Sequence, residues 1–147
     1  MRPLILILTF FSLKATAQTD ESAVKQTITA LFEGMRKSDS ILMKSVFAPG
    51  AILQSIDNRG GKVKIVTDAV SDFITSVSKP HPQVYDERIT FEMIKIDGEL
   101  ATVWTPYQFY IGDTFSHCGV DSYQLVKMDG VWKIQYLIDT RRKEACK

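Results

Sequence analysis

Two hydrophobic periods divide the chain. From Tyr85 to Arg142 apolar residues recur at intervals of two, in the runs YDERITFEMIKI, ELATVWTPYQFYI, TFSHCGVDSYQLVKM and VWKIQYLIDTRR. Period two belongs to strands. The runs are separated by Asp97-Gly98, Gly112-Asp113 and Asp129-Gly130, the residue pairs that supply the positive φ of two-residue hairpin turns. Four antiparallel strands in a meander are predicted. Upstream the period lengthens. Val24, Ile28, Leu31, Phe32 and Met35 mark one face of a helix over residues 20–37, with Asp20 as its N-cap. Asp39 is placed to cap a short second helix carrying Leu42, Val46 and Phe47, ended by Pro49-Gly50. Ala51–Ile56 and Lys62–Val66 read as a small hairpin. Thr67 is the expected cap of a third helix, with Val70, Phe73, Ile74 and Val77 on one face and Pro80 and Pro82 beyond its end. Helices first and a large antiparallel sheet afterwards is an α+β pattern. A curved sheet wrapped over three helices leaves a cone with an open end.

Two-residue loops pair Ile96 with Glu99, Ile111 with Thr114 and Met128 with Val131. Paired residues share a face and faces alternate along a strand. This register puts Trp104, Tyr110, Tyr123, Trp132, Ile134, Tyr136 and Ile138 on the core face. It lines up Glu87, Gln108, His117 and Arg142 as a polar row at one end of that face. Asp121 falls deeper, between Trp104 and Ile138. A bulge in any strand would invert the faces beyond it.

The first 17 residues stand apart. Arg2, an uncharged apolar run over Leu4–Leu13 and Ala15-Thr16-Ala17 before Gln18 form the layout of a secretory signal sequence. The expectation is an exported chain, periplasmic or secreted, whose single domain spans 18–147. No later run approaches the roughly 20 apolar residues of a membrane span. Cleavage removes two of the 18 basic residues and leaves 16 against 17 acidic. With no basic stripe, nucleic acid is not an expected partner. Cys118 and Cys146 would be free to pair outside the cytoplasm. The register places Cys118 opposite Arg141, from where the tail can fold back. The alternative is two thiols, with Cys118 a small sheet residue.

The segments LFEGMRKSDSILMKSVFAPGAIL and DGVWKI, separated by the long meander, resemble the nuclear transport factor 2-like superfamily. ERI, LATVWTPYQFY, FSHCGVDSYQLV and WKIQYLIDTRR resemble its exported bacterial branch labelled putative lumazine-binding. The resemblance covers residues 20–146. It implies the cone-shaped α+β fold, three helices packed on a curved antiparallel sheet. It implies little about activity, since that fold serves ketosteroid isomerases, SnoaL-like cyclases and non-enzymatic binders alike.

The candidate site follows from the polar row. His117, with an ordinary pKa of about 6.5, suits acid–base work, with Glu87 to orient it. A structural hydrogen-bond network is the other account of that row. By resemblance to ketosteroid isomerases, Asp121 lies about where a neutral carboxylic acid donates to an oxyanion. Otherwise it bonds Trp104 or Tyr123, as buried polar groups do. His117, Asp121 and Glu87 are therefore the candidate catalytic residues. Trp104, Gln108, Tyr110, Tyr123 and Arg142 are the candidate ligand contacts. There is no H-x-x-x-H, H-x-E or C-x-x-C spacing, no G-x-S-x-G and no phosphate-binding glycine loop. Neither a metal nor a cofactor is expected. The sequence points to an exported domain that binds an aromatic or polycyclic small molecule. The alternative is a cofactor-free enzyme using His117 and a carboxylate for proton transfer or dehydration. Val103, Tyr107, Phe109, Val120 and Leu137 fall on the outer face, where they would form a homodimer patch.

Overall fold

In the computed structural model, residues 19–58 and 61–146 are described. The expected signal sequence and its Ala17–Gln18 cleavage point lie outside the described residues, as do residues 59 and 60. The described elements are three helices and seven strands, a mixed α+β fold. Helix α1 spans Asp20–Lys37 and α2 Ser40–Ser45. Strands β1 (Phe47–Asp57) and β2 (Lys64–Asp68) lead to α3 (Val70–Ser78). Then come β3 (Tyr85–Ile89), β4 (Met93–Asp97), β5 (Leu100–Ile111), β6 (Thr114–Met128) and β7 (Val131–Arg142).

Helix ends obey local chemistry, with three departures from expectation. Thr19, not Asp20, caps α1, its hydroxyl accepting from the Ser22 N–H at 3.3 Å. Asp20 instead ties the helix to the sheet, accepting from Lys127 Nζ at 2.6 Å and Trp132 Nε1 at 3.1 Å. Asp39 caps α2 through bonds to the N–H groups of Ile41 and Leu42. Pro49-Gly50 does not end α2. The helix stops before Val46, and β1 runs through the dipeptide where its pairing with β7 shifts register between Phe47 and Ile52. Thr67 lies in β2 and caps nothing; α3 starts after Ala69 without a side-chain cap.

The sheet order is β2-β1-β7-β6-β5-β3, with β4 also on β5. All neighbours are antiparallel except β1 and β7. β3 and β4 share one edge of β5, end to end, and the interruption between them has a cause in Pro106. Its carbonyl accepts from the Thr90 N–H at 3.0 Å, so its nitrogen points to the same edge without a proton to donate. A continuous partner strand would leave that ladder position unmade.

Two single-residue bulges decide the faces. Ile111 pairs with Thr114 and Tyr110 with Phe115, but Phe109 pairs with His117, so Ser116 is extra. Leu125 pairs with Ile134 but Gln124 with Tyr136, so Gln135 is extra. Each slip inverts the strand beyond it. The face under the helices is therefore Ala101, Val103, Thr105, Tyr107 and Phe109 of β5, with Leu125, Tyr123, Asp121, Gly119 and His117 of β6. Trp132 and Ile134 join it from β7 before the bulge, and Leu137, Asp139 and Arg141 after it. The dry core lies where α1 crosses the turn-proximal end of this face. There Val24, Ile28, Leu31, Ala101, Val103, Tyr123, Leu125, Trp132 and Ile134 are almost wholly buried.

Candidate functional site

Moving along the inner face away from the dry core, residues of neighbouring strands fall into rows. Val103, Tyr123, Leu137 and Leu53 form the first. Thr105, Asp121, Asp139 and Ser55 form the second, and Ile89, Tyr107, Gly119 and Arg141 the third. Glu87, Phe109 and His117 form the last. Above these rows lies a cavity of about 250 Å³, roofed by Leu31, Phe32 and Met35 of α1 and Phe73 and Val77 of α3. Its polar lining includes Glu87, Tyr107, His117, Asp121, Tyr123, Asp139 and Arg141. A second recess of about 490 Å³, bordered by Arg142 and Lys143, shares Ser55, Asp68, His117 and Arg141 with the first.

Three carboxyl groups meet at the floor. Asp121, 3% exposed, accepts from Thr105 Oγ1 at 3.3 Å and from the Tyr123 hydroxyl at 3.2 Å, both through Oδ2. It is also hydrogen-bonded to the carboxyl of Glu87. Two carboxyl groups in that relation hold a proton between them, because two adjacent buried anions repel. Burial, and then the neighbouring Asp121, push Glu87 well above the ordinary carboxylate range. Burial and the charge of Asp139 push Asp121 up to about 7, against its hydrogen bonds from Glu87, Tyr123 and Thr105. Asp139 is held differently. It accepts from Arg141 Nε at 2.8 Å and from the Tyr107 hydroxyl at 3.3 Å, and Arg141 Nη2 donates onward to Ser55 Oγ at 3.0 Å.

Tyr107 reaches this position because Gly119 lies beneath it. A Cβ on Gly119 would sit 1.8 Å from the Thr140 carbonyl oxygen and 2.7 Å from Tyr107 Cε1. The bare backbone lets the ring cross and its hydroxyl donate to the Thr140 carbonyl at 2.9 Å. Burial, then the Asp139 charge, raise the Tyr107 pKa far above the phenol range. Burial and Asp121 do the same for Tyr123. Both rings are thus neutral donors at working pH. His117 stands at the rim, its ring edge-on to Tyr107 at 5.7 Å and tilted against Phe109 at 5.1 Å, with Nδ1 3.0 Å from Ser116 Oγ. Burial, then the charge of Arg141, hold its pKa below the ordinary imidazole value. Its ring is therefore a neutral group at pH 7.

The structure brings Glu87, His117, Asp121 and Tyr123 together but not the rest of the expected set. Trp104, Gln108 and Tyr110 occupy the outer face, because the Ser116 bulge offsets β5 from β6 by one residue. Trp104 is 40% exposed. Gln108 accepts from the Tyr110 hydroxyl at 2.9 Å, and Arg88 stacks 4.0 Å from the Tyr110 ring. Arg142 pairs with Cys118 after the Gln135 bulge and borders the second recess, its Nε donating to the Ala145 carbonyl. Asp121 consequently has Thr105 and Asp139 beside it, not Trp104 and Ile138. The expected dimer patch is also misplaced, since Val103 and Tyr107 are buried under the helices and Phe109 and Leu137 face the cavity. Tyr107, Asp139, Thr105 and Arg141 were absent from the expected site. They do share one face in the sequence alternation, and only the bulges show that it is the inner one. Cys118 and Cys146 are joined by a disulfide on the outer side, with a Cα–Cα distance of 5.8 Å. Among the described residues no group of three or more His, Cys, Asp and Glu side chains is arranged to hold a metal ion.

Comparison with known proteins adds a family. The one described as putative lumazine-binding matches residues 19–136. Solved structures share the fold. A protein described as NTF2-like, of unknown function, from Shewanella baltica OS155 is 17% identical at a TM-score of 0.64, covering 84% of this chain and 94% of its own. Another described in those terms, from Silicibacter pomeroyi DSS-3, is 14% identical at 0.67, covering 83% and 95%. A protein with a cystatin-like fold from Nostoc punctiforme PCC 73102 is 12% identical at 0.67, covering 85% and 92%. Comparison with curated proteins finds no match.

Proposed function

We propose, for a chain that belongs to the putative lumazine-binding family within the nuclear transport factor 2-like superfamily, that it is a small-molecule-binding domain acting outside the cytoplasm. The ligand occupies the cavity between α1, α3 and the inner face of the sheet, the narrow part of a cone. One observation carries this reading. An apolar, partly aromatic chamber has a few convergent polar groups at its floor, the usual composition of a ligand site. Removal of residues 1–17 and export rest on the charge–apolar–A-x-A layout, and a disulfide suits an oxidising compartment. Self-association through the outer sheet face remains part of the proposal. Its residues are now Trp104, Met93 and Ile52, which are 40%, 37% and 44% exposed.

Thermal-shift measurement over a metabolite panel tests the binding. At least one compound is expected to raise the melting temperature, and Val77→Phe, which fills the cavity from α3, should abolish that rise. A panel that shifts wild type and Val77→Phe alike argues against the cavity. A second reading, proton-transfer catalysis, has one observation in its favour: the carboxyl pair of Glu87 and Asp121 lies at the cavity floor. His117 Nδ1 meets Ser116 Oγ at 3.0 Å, while Glu87 and Asp121 meet each other, so the acid pair rather than His117 would carry the chemistry. Turnover of a panel compound that disappears in Glu87→Gln with binding retained would establish it.

A further inference from the structure

Resting on the binding reading above, we propose that the cavity takes a compact monocation, a protonated amine or amidine on a flat apolar body, with its charge on the Glu87–Asp121 pair. The first argument is the charge balance. Asp139 and Arg141 neutralise one another, and Arg141 is engaged by Asp139 and Ser55 together. Among the described residues no lysine or arginine nitrogen is bonded to Glu87 or Asp121. Sharing one proton, that pair has room for one negative charge, and the one cation whose charge reaches it, Arg141, is already neutralised by Asp139. Neither α1 nor α3 supplies one: both present only apolar side chains to the chamber.

The second argument is independent of the acids. The walls are aromatic, with Phe32, Phe73, Tyr85, Tyr107 and Phe109 lining the chamber. Ring faces attract cations, most strongly where water is excluded. A carboxylate floor under aromatic walls selects a cation over a neutral or anionic ligand of the same shape. At about 250 Å³ the chamber admits a ligand of one or two rings.

Binding of such a cation favours the ionised pair and so expels protons at low pH. Tyr107, Tyr123, Asp139 and Arg141 act on the pair, and His117, Asp68 and Tyr85 also line the chamber. The two phenols stay neutral, the Asp139–Arg141 pair stays charged, and His117 is neutral above its lowered pKa. The pair therefore dominates the pH response near neutrality. With Asp121 titrating at about 7, the ionised fraction, and with it the affinity, rises about tenfold between about pH 6 and about pH 8.

Titration calorimetry with benzamidine, benzamide and benzoate tests this, three probes of one shape and different charge. Benzamidine is expected to bind best, to gain about tenfold over that pH interval, and to lose binding in Asp121→Asn and Glu87→Gln. The pH series on wild type stands even if a variant does not fold. Benzamide or benzoate binding in preference, with Val77→Phe blocking it, overturns the cation assignment and leaves the binding reading intact. Benzamidine binding that ignores pH also overturns it. If no probe binds and the methyl resonances of Leu31 and Met35 do not move, the cation assignment fails, and a metabolite panel without hits would then remove the binding reading as well.

Discussion

The two ends of the inner face are made by the same strands, yet one is solid and the other hollow. At the turn-proximal end, Ala101, Val103, Leu125 and Ile134 are fully buried beneath α1. Four to five residues further along, the same strands present Tyr107, Asp121 and Asp139 to a cavity. The alternation does not change between the ends on β5 or β6. What changes is the cover above and the side chains beneath it. The solid end is closed by the tightly packed ridge of α1. The hollow end is spanned by the far part of α1 and by α3. Its floor carries groups that need hydrogen bonds, and the pairs Glu87–Asp121, Tyr107–Asp139 and Arg141–Ser55 supply them. Among the described residues no buried side-chain nitrogen or oxygen lacks a partner. The lesson is that a strand can pass from core to site without breaking its pattern, provided the polar residues are satisfied laterally.

The largest expected disturbance is Gly119→Val. The first Cβ already collides with the Thr140 carbonyl oxygen at 1.8 Å, so β6 and β7 must separate and the Tyr107 bond must break. A loss above about 4 kcal/mol, or failure to fold, is expected, read by chemical denaturation. Next is a direct comparison of the ends. Leu125→Ala in the solid end should cost about 2–5 kcal/mol. Phe109→Ala, already bordering a cavity, should cost less than half as much and should weaken ligand binding instead. Equal costs would mean that the two ends are packed alike.

The third prediction concerns pH. Both Glu87 and Asp121 have folded pKa values raised above their unfolded ones. The contribution of Asp121 is fully present below about pH 4 and is lost as pH rises through about 7, and Glu87 acts in the same sense. His117, with a lowered pKa, acts in the opposite sense as pH falls through about 6.5, but it is only half-buried and its effect is smaller. Ligand-free protein should thus be more stable near pH 5 than near pH 8, by roughly 2–4 kcal/mol, and Asp121→Asn should flatten that slope. A melting temperature that rises steadily from pH 5 to pH 8 would contradict the shared-proton pair. Fourth, reducing Cys118–Cys146 opens a loop of sequence separation 28, for which loop entropy sets an upper bound of about 3.5 kcal/mol. The β6–β7 ladder already closes most of that loop, so about 1–2 kcal/mol is expected, with the cavity unchanged by nuclear magnetic resonance. The smallest effect belongs to Trp104→Glu on the outer face, within about 0.5 kcal/mol on monomer stability. Its readout is light scattering, where a shift from dimer to monomer is expected.

Local chemistry set the elements in advance. The 3.6 period of Val24–Met35, the Asp39 cap and the Gly112-Asp113 and Asp129-Gly130 turns are short-range instructions, each acting within a few residues, and they suffice for an α+β chain of helices followed by a meander. The Asp97-Gly98 signal marked its hairpin one residue early: Asp97 pairs with Leu100, not Ile96 with Glu99, and Gly98-Glu99 makes the turn. The family likeness lay in the same segments. Side-chain faces are another matter, because a single extra residue inverts them. Ser116 and Gln135 carry no local mark of being extra; they are bulged because the pairing on both sides of them is better satisfied that way. That nonlocal decision moved Trp104, Gln108, Tyr110 and Arg142 outward and brought Tyr107, Thr105, Asp139 and Arg141 in. Glu87, His117 and Asp121 were placed on the correct face. For Glu87 two offsets cancelled, one between β3 and β5 and one between β5 and β6. His117 and Asp121 lie on β6, whose own alternation sets its inner face. Pro106 and Gly119 were the two visible hints, one marking where a partner strand must break and the other where a ring must cross. What each hint meant depended on strands meeting in space, Pro106 with Thr90 and Gly119 with Tyr107 and Thr140, and only tertiary pairing decides that.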